Sequence, residues 1–201
     1  MFDSTDIGRN NILSGFLYTG ILLFVIFPFS SYGQQPVTEP SINITLFKQE
    51  RNLPELNQAV IDTMLRYGPQ IAPTYRKAVC TELVIRILEK FHQLNRIDKS
   101  RIRIITNGNI QSLLIENSPI PKGVYYALTT KGIGEAVDDI KKVIPGDFVQ
   151  FWTESWGHCG VVKEINIENS EMTLYSSFPS TNGYGEQKFS IPEYVFFVRL
   201  K

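Results

Sequence analysis

The stretch GDFVQFWTESWGHCGVV, Gly146 to Val162, sets one of the chain's two histidines beside one of its two cysteines, inside a run of apolar and aromatic residues. β-Branched and aromatic residues dominate it on both sides of a short loop. It therefore reads as two strands, DFVQFW and GHCGVVKEINI. Two later runs, EMTLYSS and EYVFFVRL, have the same character and are set off by turn residues such as Glu168, Asn169 and Ser170. Together they predict an antiparallel sheet from Pro145 onward, with His158 in the middle of it.

The pattern upstream is helical. Leu56, Val60, Ile61, Met64 and Leu65 recur at helical spacing behind Pro54, and Gly68-Pro69 predicts the stop of a first helix over Leu53–Tyr67. In YRKAVCTELVIRILEKFHQL, Leu83, Val84, Ile87, Leu88, Phe91 and Leu94 form one buried face of a second helix, with Cys80 at its start. Residues 101–142 read as short apolar segments broken by Asn107, Gly108, Pro119, Pro121 and Gly123, with a helical turn over Val124–Leu128. Helices followed by strands predict an α+β domain rather than a βαβ repeat.

The first 33 residues differ in kind. Ile12 to Phe29 is uncharged and apolar behind Arg9, and Ser31 and Gly33 follow as small residues. This reads as a cleavable signal peptide or an N-terminal membrane anchor, which predicts an exported protein of the periplasm or cell envelope. Residues 34–43, with Pro36 and Pro40, read as a linker, and 44–201 as one folded domain. Lys plus Arg and Asp plus Glu stand at 20 each, so the overall charge does not direct the chain to nucleic acid or to an anionic membrane surface. The expected form is a monomer, touching a membrane only through its first segment.

Cys80 and His158 are the residues with chemical potential. A thiol in the first turn of a helix meets free backbone N–H groups and the positive end of the helix dipole, and both favour the thiolate. An imidazole beside it would take the thiol proton and return it to a leaving amine. Because side chains alternate along a strand, His158 and Cys159 are expected on opposite faces. A catalytic His158 then turns Cys159 away as a small core residue. The opposite assignment, a Cys80–Cys159 disulfide, stays open. Gly157 and Gly160 flank the pair and would let a substrate backbone approach closely. Trp152 and Trp156 bracket the loop before His158 as candidate substrate contacts. His92 reads as a surface residue. The spacing of His and Cys fits no metal set, and the paired glycines of KGIGEA and TNGYGE fit turns rather than a nucleotide loop, so neither a metal nor another cofactor is expected.

AVCTELVIRIL, PGDFVQFW and GHCGVV, in that order, resemble the NlpC/P60 and CHAP superfamily of papain-like cysteine amidases and peptidases over about Tyr75 to Tyr184. The resemblance implies helices packed on an antiparallel sheet and hydrolysis of peptide or amide bonds, with a peptidoglycan peptide as substrate. It implies Cys80 as nucleophile and His158 as base, and it puts Tyr75 at the substrate cleft. It also implies a third, polar residue on the next strand to orient the imidazole. A two-residue turn at Asn169-Ser170 would pair Val162 with Ser177 and His158 with Thr181, which makes Ser177 the choice, with Ser176, Thr181 and Asn182 open. The position before the nucleophile, often Asp in the superfamily, is Val79. Serine cannot stabilise imidazolium as a carboxylate would, so a catalytically idle domain of the same fold, binding wall peptides or proteins, is the alternative.

Overall fold

The computed structural model describes residues 53–201. The expected leader and linker, and the expected domain start near residue 44, lie outside the described residues. Helix α1 spans Glu55–Ile71 and buries Asn57, Val60, Met64 and Gly68. It runs past the predicted stop at Gly68-Pro69. A proline this close to the end removes few helical bonds, and the Ala72 N–H still reaches the Gly68 carbonyl at 2.9 Å. Helix α2 spans Cys80–Leu88 and buries Leu83, Val84, Ile85, Ile87 and Leu88. It is shorter than its apolar periodicity predicts because Asn95 starts a new helix, α3 (Arg96–Arg103), through a reciprocal capping box with Asp98. Two more helices occupy the segment that reads as a strand or short helix, a loop and a helical turn: α4 (Ile110–Ile115), and α5 (Gly123–Lys131), which contains the turn expected over Val124–Leu128.

Six strands follow: β1 (Gly134–Val137), β2 (Phe148–Trp152), β3 (Gly157–Asn166), β4 (Glu171–Phe178), β5 (Gly183–Ser190) and β6 (Tyr194–Leu200). They form one antiparallel sheet in the order β1-β6-β2-β3-β4-β5, so the α+β architecture stands as predicted. Strands β1 and β5 are additions to the sequence reading, which took the glycines of TNGYGE for turns alone. In the structure β5 begins at Gly183 and pairs with β4 along its whole length, from Phe178↔Gly183 to Glu171↔Ser190.

The helices pack on one face of the sheet. Val60, Met64, Leu83, Leu88 and Leu128 share a core with Phe148, Cys159, Val161, Tyr175 and Val198. The other face carries Val149, Phe151, Val162, Met172, Leu174 and Phe197. Phe151 on β2 and Phe189 on β5 lie with ring centroids 5.2 Å apart although β3 and β4 run between them. In a flat sheet three strand spacings would hold them about 14 Å apart. The sheet is therefore strongly curled, helices outside and an aromatic cluster within the concavity. Twist of this kind is what lets one sheet bury both faces.

Asp147 fastens the helical layer to this sheet. Fully buried, it accepts hydrogen bonds from the Asn57 side chain of α1 (3.0 Å), the Ile144 N–H (3.0 Å) and Arg199 of β6 at 2.7 and 2.8 Å. Asn57 also donates to the Pro145 carbonyl at 2.9 Å. Gly146 between them has φ of 90°, and a Cβ there would lie 2.5 Å from the Asn57 carbonyl oxygen. Only glycine meets both conditions. The PGD sequence is thus a structural joint between α1, β2 and β6. Asp147→Ala removes one partner of a buried ion pair and strands two further donors. It is expected to cost about 3–5 kcal/mol of unfolding free energy in urea titrations; a loss below about 1 kcal/mol would contradict this role.

Candidate functional site

The residue before α2, Val79, is extended (φ −71°, ψ 174°), and no side chain among the described residues caps the helix. The first-turn N–H groups beside Cys80 are thus left for other acceptors. The preceding residue is held in place from the sheet: the Ser177 hydroxyl donates to the Ala78 carbonyl at 2.5 Å. The β3–β4 ladder explains why there is room for this. Its matched pairs run from Asn166↔Glu171 to Val161↔Tyr175 and then stop, although β3 extends back to Gly157 and β4 on to Phe178. The start of α2 stands at this opening, against β3 and β4.

There Cys80 and His158 come together. The Cys159 thiol and backbone N–H and the His158 ring are the groups that act on the Cys80 thiol. Its pKa is lowered to about 4, first by the Cys159 thiol, against the opposing effect of burial, then by the hydrogen bond and charge of His158 and by the Cys159 N–H. The Cys159 thiol moves the other way, well above the ordinary range, because it is the donor to Cys80 and is wholly buried. The pair shares its protons unequally: Cys80 is the thiolate and Cys159 the thiol that supports it.

Strand alternation holds, but the consequence drawn from it for Cys159 does not. Cys159 pairs with Gln150 and belongs to the helix-side core, whereas His158 pairs with Phe151 of the concave cluster. Cys159 therefore faces Cys80 rather than turning away. His158 alternates to the concave side of β3, and its ring still acts on the same sulfur. Both cysteines are free, so no disulfide joins them in this structure.

His158 is 3% exposed and stands in an aromatic cage. Ring centroids lie at 4.9 Å from Phe178, 5.2 Å from Phe189, 5.7 Å from Phe151 and 6.4 Å from Trp156. Its Nε2 is buried with no hydrogen-bond partner among the described residues. Ser177 is not that partner. Its hydroxyl is on the Ala78 carbonyl, and the observed pairing differs from the predicted one: the turn has four residues, Ile167 to Ser170, and the ladder carries a bulge between Val162 and Glu164. Continuing from Val161↔Tyr175, this register brings Phe178, not Thr181, opposite His158. Thr181 spends its hydroxyl on the Phe178 and Gly183 carbonyls, and Asn182 adopts φ of 48° in the turn before β5. Ser176 alternates onto the concave side with His158, and its hydroxyl is also buried without a partner among the described residues.

The remaining candidates separate clearly. Tyr75 is half-buried, and its hydroxyl pKa is raised first by burial and then by charge at Cys80 and Cys159. Trp156 is 39% exposed and covers the concave cluster from outside. Trp152 is a structural residue: its Nε1 donates to the Pro121 carbonyl at 2.7 Å and its ring lies over Gly157. The space beside Gly157 and Gly160 is accordingly filled by the protein itself, with the Trp152 ring at one and Tyr175 and Ser176 at the other, and is not open to a substrate backbone. His92 is half-exposed in the turn after α2, its backbone N–H on the Leu88 carbonyl at 2.9 Å. Sequence reading held Cys159 as a partner of Cys80 only in the disulfide alternative, not as a thiol facing Cys80 beside His158. The alternation of Cys159 and Val161 in the core phase of β3 carries that signal.

The chain matches no protein-family model, no curated protein and no solved structure.

The order of the contributions to Cys80 gives a direct prediction. Removing a donor to the thiolate destabilises the charged form, so either neighbour's loss raises the pKa. In alkylation rates measured against pH, the wild-type Cys80 profile is expected to lie far below that of an ordinary thiol. Cys159→Ala should move the midpoint up further than His158→Ala does. The reverse ranking would show that the imidazole, not the second thiol, holds the thiolate.

Proposed function

We propose that the chain is a cysteine hydrolase of papain-like, NlpC/P60-type architecture that cleaves peptide or amide bonds of the cell envelope, with Cys80 as nucleophile and His158 as proton carrier. The observation that carries this reading is the Cys80 thiolate at a helix start beside an imidazole. The thiolate attacks the substrate carbonyl carbon and forms a tetrahedral oxyanion, for which the backbone N–H of Cys80 is the nearest donor. As the C–N bond breaks, imidazolium gives its proton to the departing amine. Water, deprotonated by the same ring, then attacks the thioester and frees the acid and the thiol. Tyr75, whose hydroxyl feels charge at Cys80, is in this reading a contact for the substrate chain.

A binding role in the same groove remains the second reading, and a specific observation favours it: Nε2 of His158 lacks an orienting partner among the described residues, and the ring is caged. An imidazole without such a partner keeps neither its tautomer nor its angle as firmly as one bonded to a carboxylate or amide.

Purified muropeptides separate the two. Under the hydrolytic reading, Cys80→Ala abolishes release of new amino termini while the melting temperature stays nearly unchanged, and His158→Ala does the same. Saturable binding by the wild type, with no turnover and no change on Cys80→Ala, would overturn it in favour of the binding domain.

A further inference from the structure

Cys159 forms and breaks no bond in the hydrolytic chemistry, yet it shares the buried core with the nucleophile. Both residues lie in the core between the helices and the sheet, Cys80 at 9% exposure and Cys159 at 0%. The register of β3 on β2 points the Cys159 side chain to the helix side, into the core that also holds Cys80. Ser177 holds the segment before Cys80 against the same part of the sheet.

We infer that Cys80 and Cys159 form a reversible dithiol–disulfide couple, in which Cys80 is the attacking thiol toward a hydroperoxide and Cys159 is the resolving thiol. In the first step the Cys80 thiolate attacks the terminal peroxide oxygen. An S–O bond forms, the O–O bond breaks, and the alkoxide or hydroxide leaves with a proton as alcohol or water; Cys80 is now a sulfenic acid. The Cys159 sulfur then attacks the Cys80 sulfur, hydroxide departs and takes the Cys159 proton as water, and the disulfide is closed. The peroxide is reduced by two electrons and the two thiols are oxidised by the same two. An external dithiol returns the pair to its reduced form by exchange. The thiolate at Cys80 serves the first step, and in the second the Cys159 thiol gives up its proton to the departing hydroxide as its sulfur attacks. The couple stands apart from the hydrolytic reading. Only its consequence, that oxidation removes the nucleophile and halts hydrolysis, rests on that reading.

The test treats the full-length protein with stoichiometric hydrogen peroxide and maps its peptides without reduction. The expected product is a peptide pair cross-linked through Cys80 and Cys159, with an intact mass lower by two hydrogen atoms and restored by dithiothreitol. In Cys159→Ser the reaction should stop at a Cys80 sulfenic acid that dimedone traps. Sulfinic acid at Cys80 with Cys159 still free in the wild type, or no oxidation of either thiol, would overturn the couple whatever the variant does. Cross-linking in a protein that never cleaves muropeptides would sink the hydrolytic reading alone.

Discussion

A strand ladder that ends early is the constraint on which the rest of this structure turns. Where the matched pairs of β3 and β4 end beyond Val161↔Tyr175, helix α2 packs against both strands. The Ser177 hydroxyl on the Ala78 carbonyl holds it there. The Cys80 sulfur is acted on both by His158, which alternates to the concave side, and by Cys159 of the helix side, together with the Cys159 N–H.

Two structural devices keep that arrangement in place. The curl of the sheet brings Phe189 of β5 back over Phe151 of β2 and packs His158 among rings, so the imidazole is immobilised by shape rather than by a polar partner. On the opposite side of β2, Asp147 ties α1 to β6 through Asn57 and Arg199. Both devices use buried groups whose alternatives are costly: rings that would otherwise face water and a carboxylate that would otherwise be unpaired. The chemistry of Cys80 is in this sense a property of the whole sheet and not of its helix alone.

Much of this was legible in the sequence where a period repeats. The 3.6-residue pattern of α1 and α2 and the strand composition of β2, β3, β4 and β6 are local properties, and they place Cys80 at a helix start and His158 in a strand. The elements that were not legible depend on partners distant in the chain. GYGEQKFS carries two glycines and two charged residues and becomes strand β5 only because β4 offers it an edge. The pairing of β3 with β4 depends on a four-residue turn and a bulge, neither of which Glu168-Asn169-Ser170 announces, and with it went the assignment of Ser177 to the imidazole. The position of Cys159 was lost for a different reason. Alternation gives the relative faces of two neighbours, but not that both can act on one sulfur.

The meeting of thiol and imidazole is best tested by nitrogen NMR of the protein labelled in its histidine rings, recorded before and after methylthiolation of Cys80. With only His92 and His158 in the chain, two ring systems give signals. The account predicts that the His158 nitrogens shift on modification while those of His92 stay in place. Unmoved His158 signals in a protein shown by mass to be modified at Cys80 would contradict it.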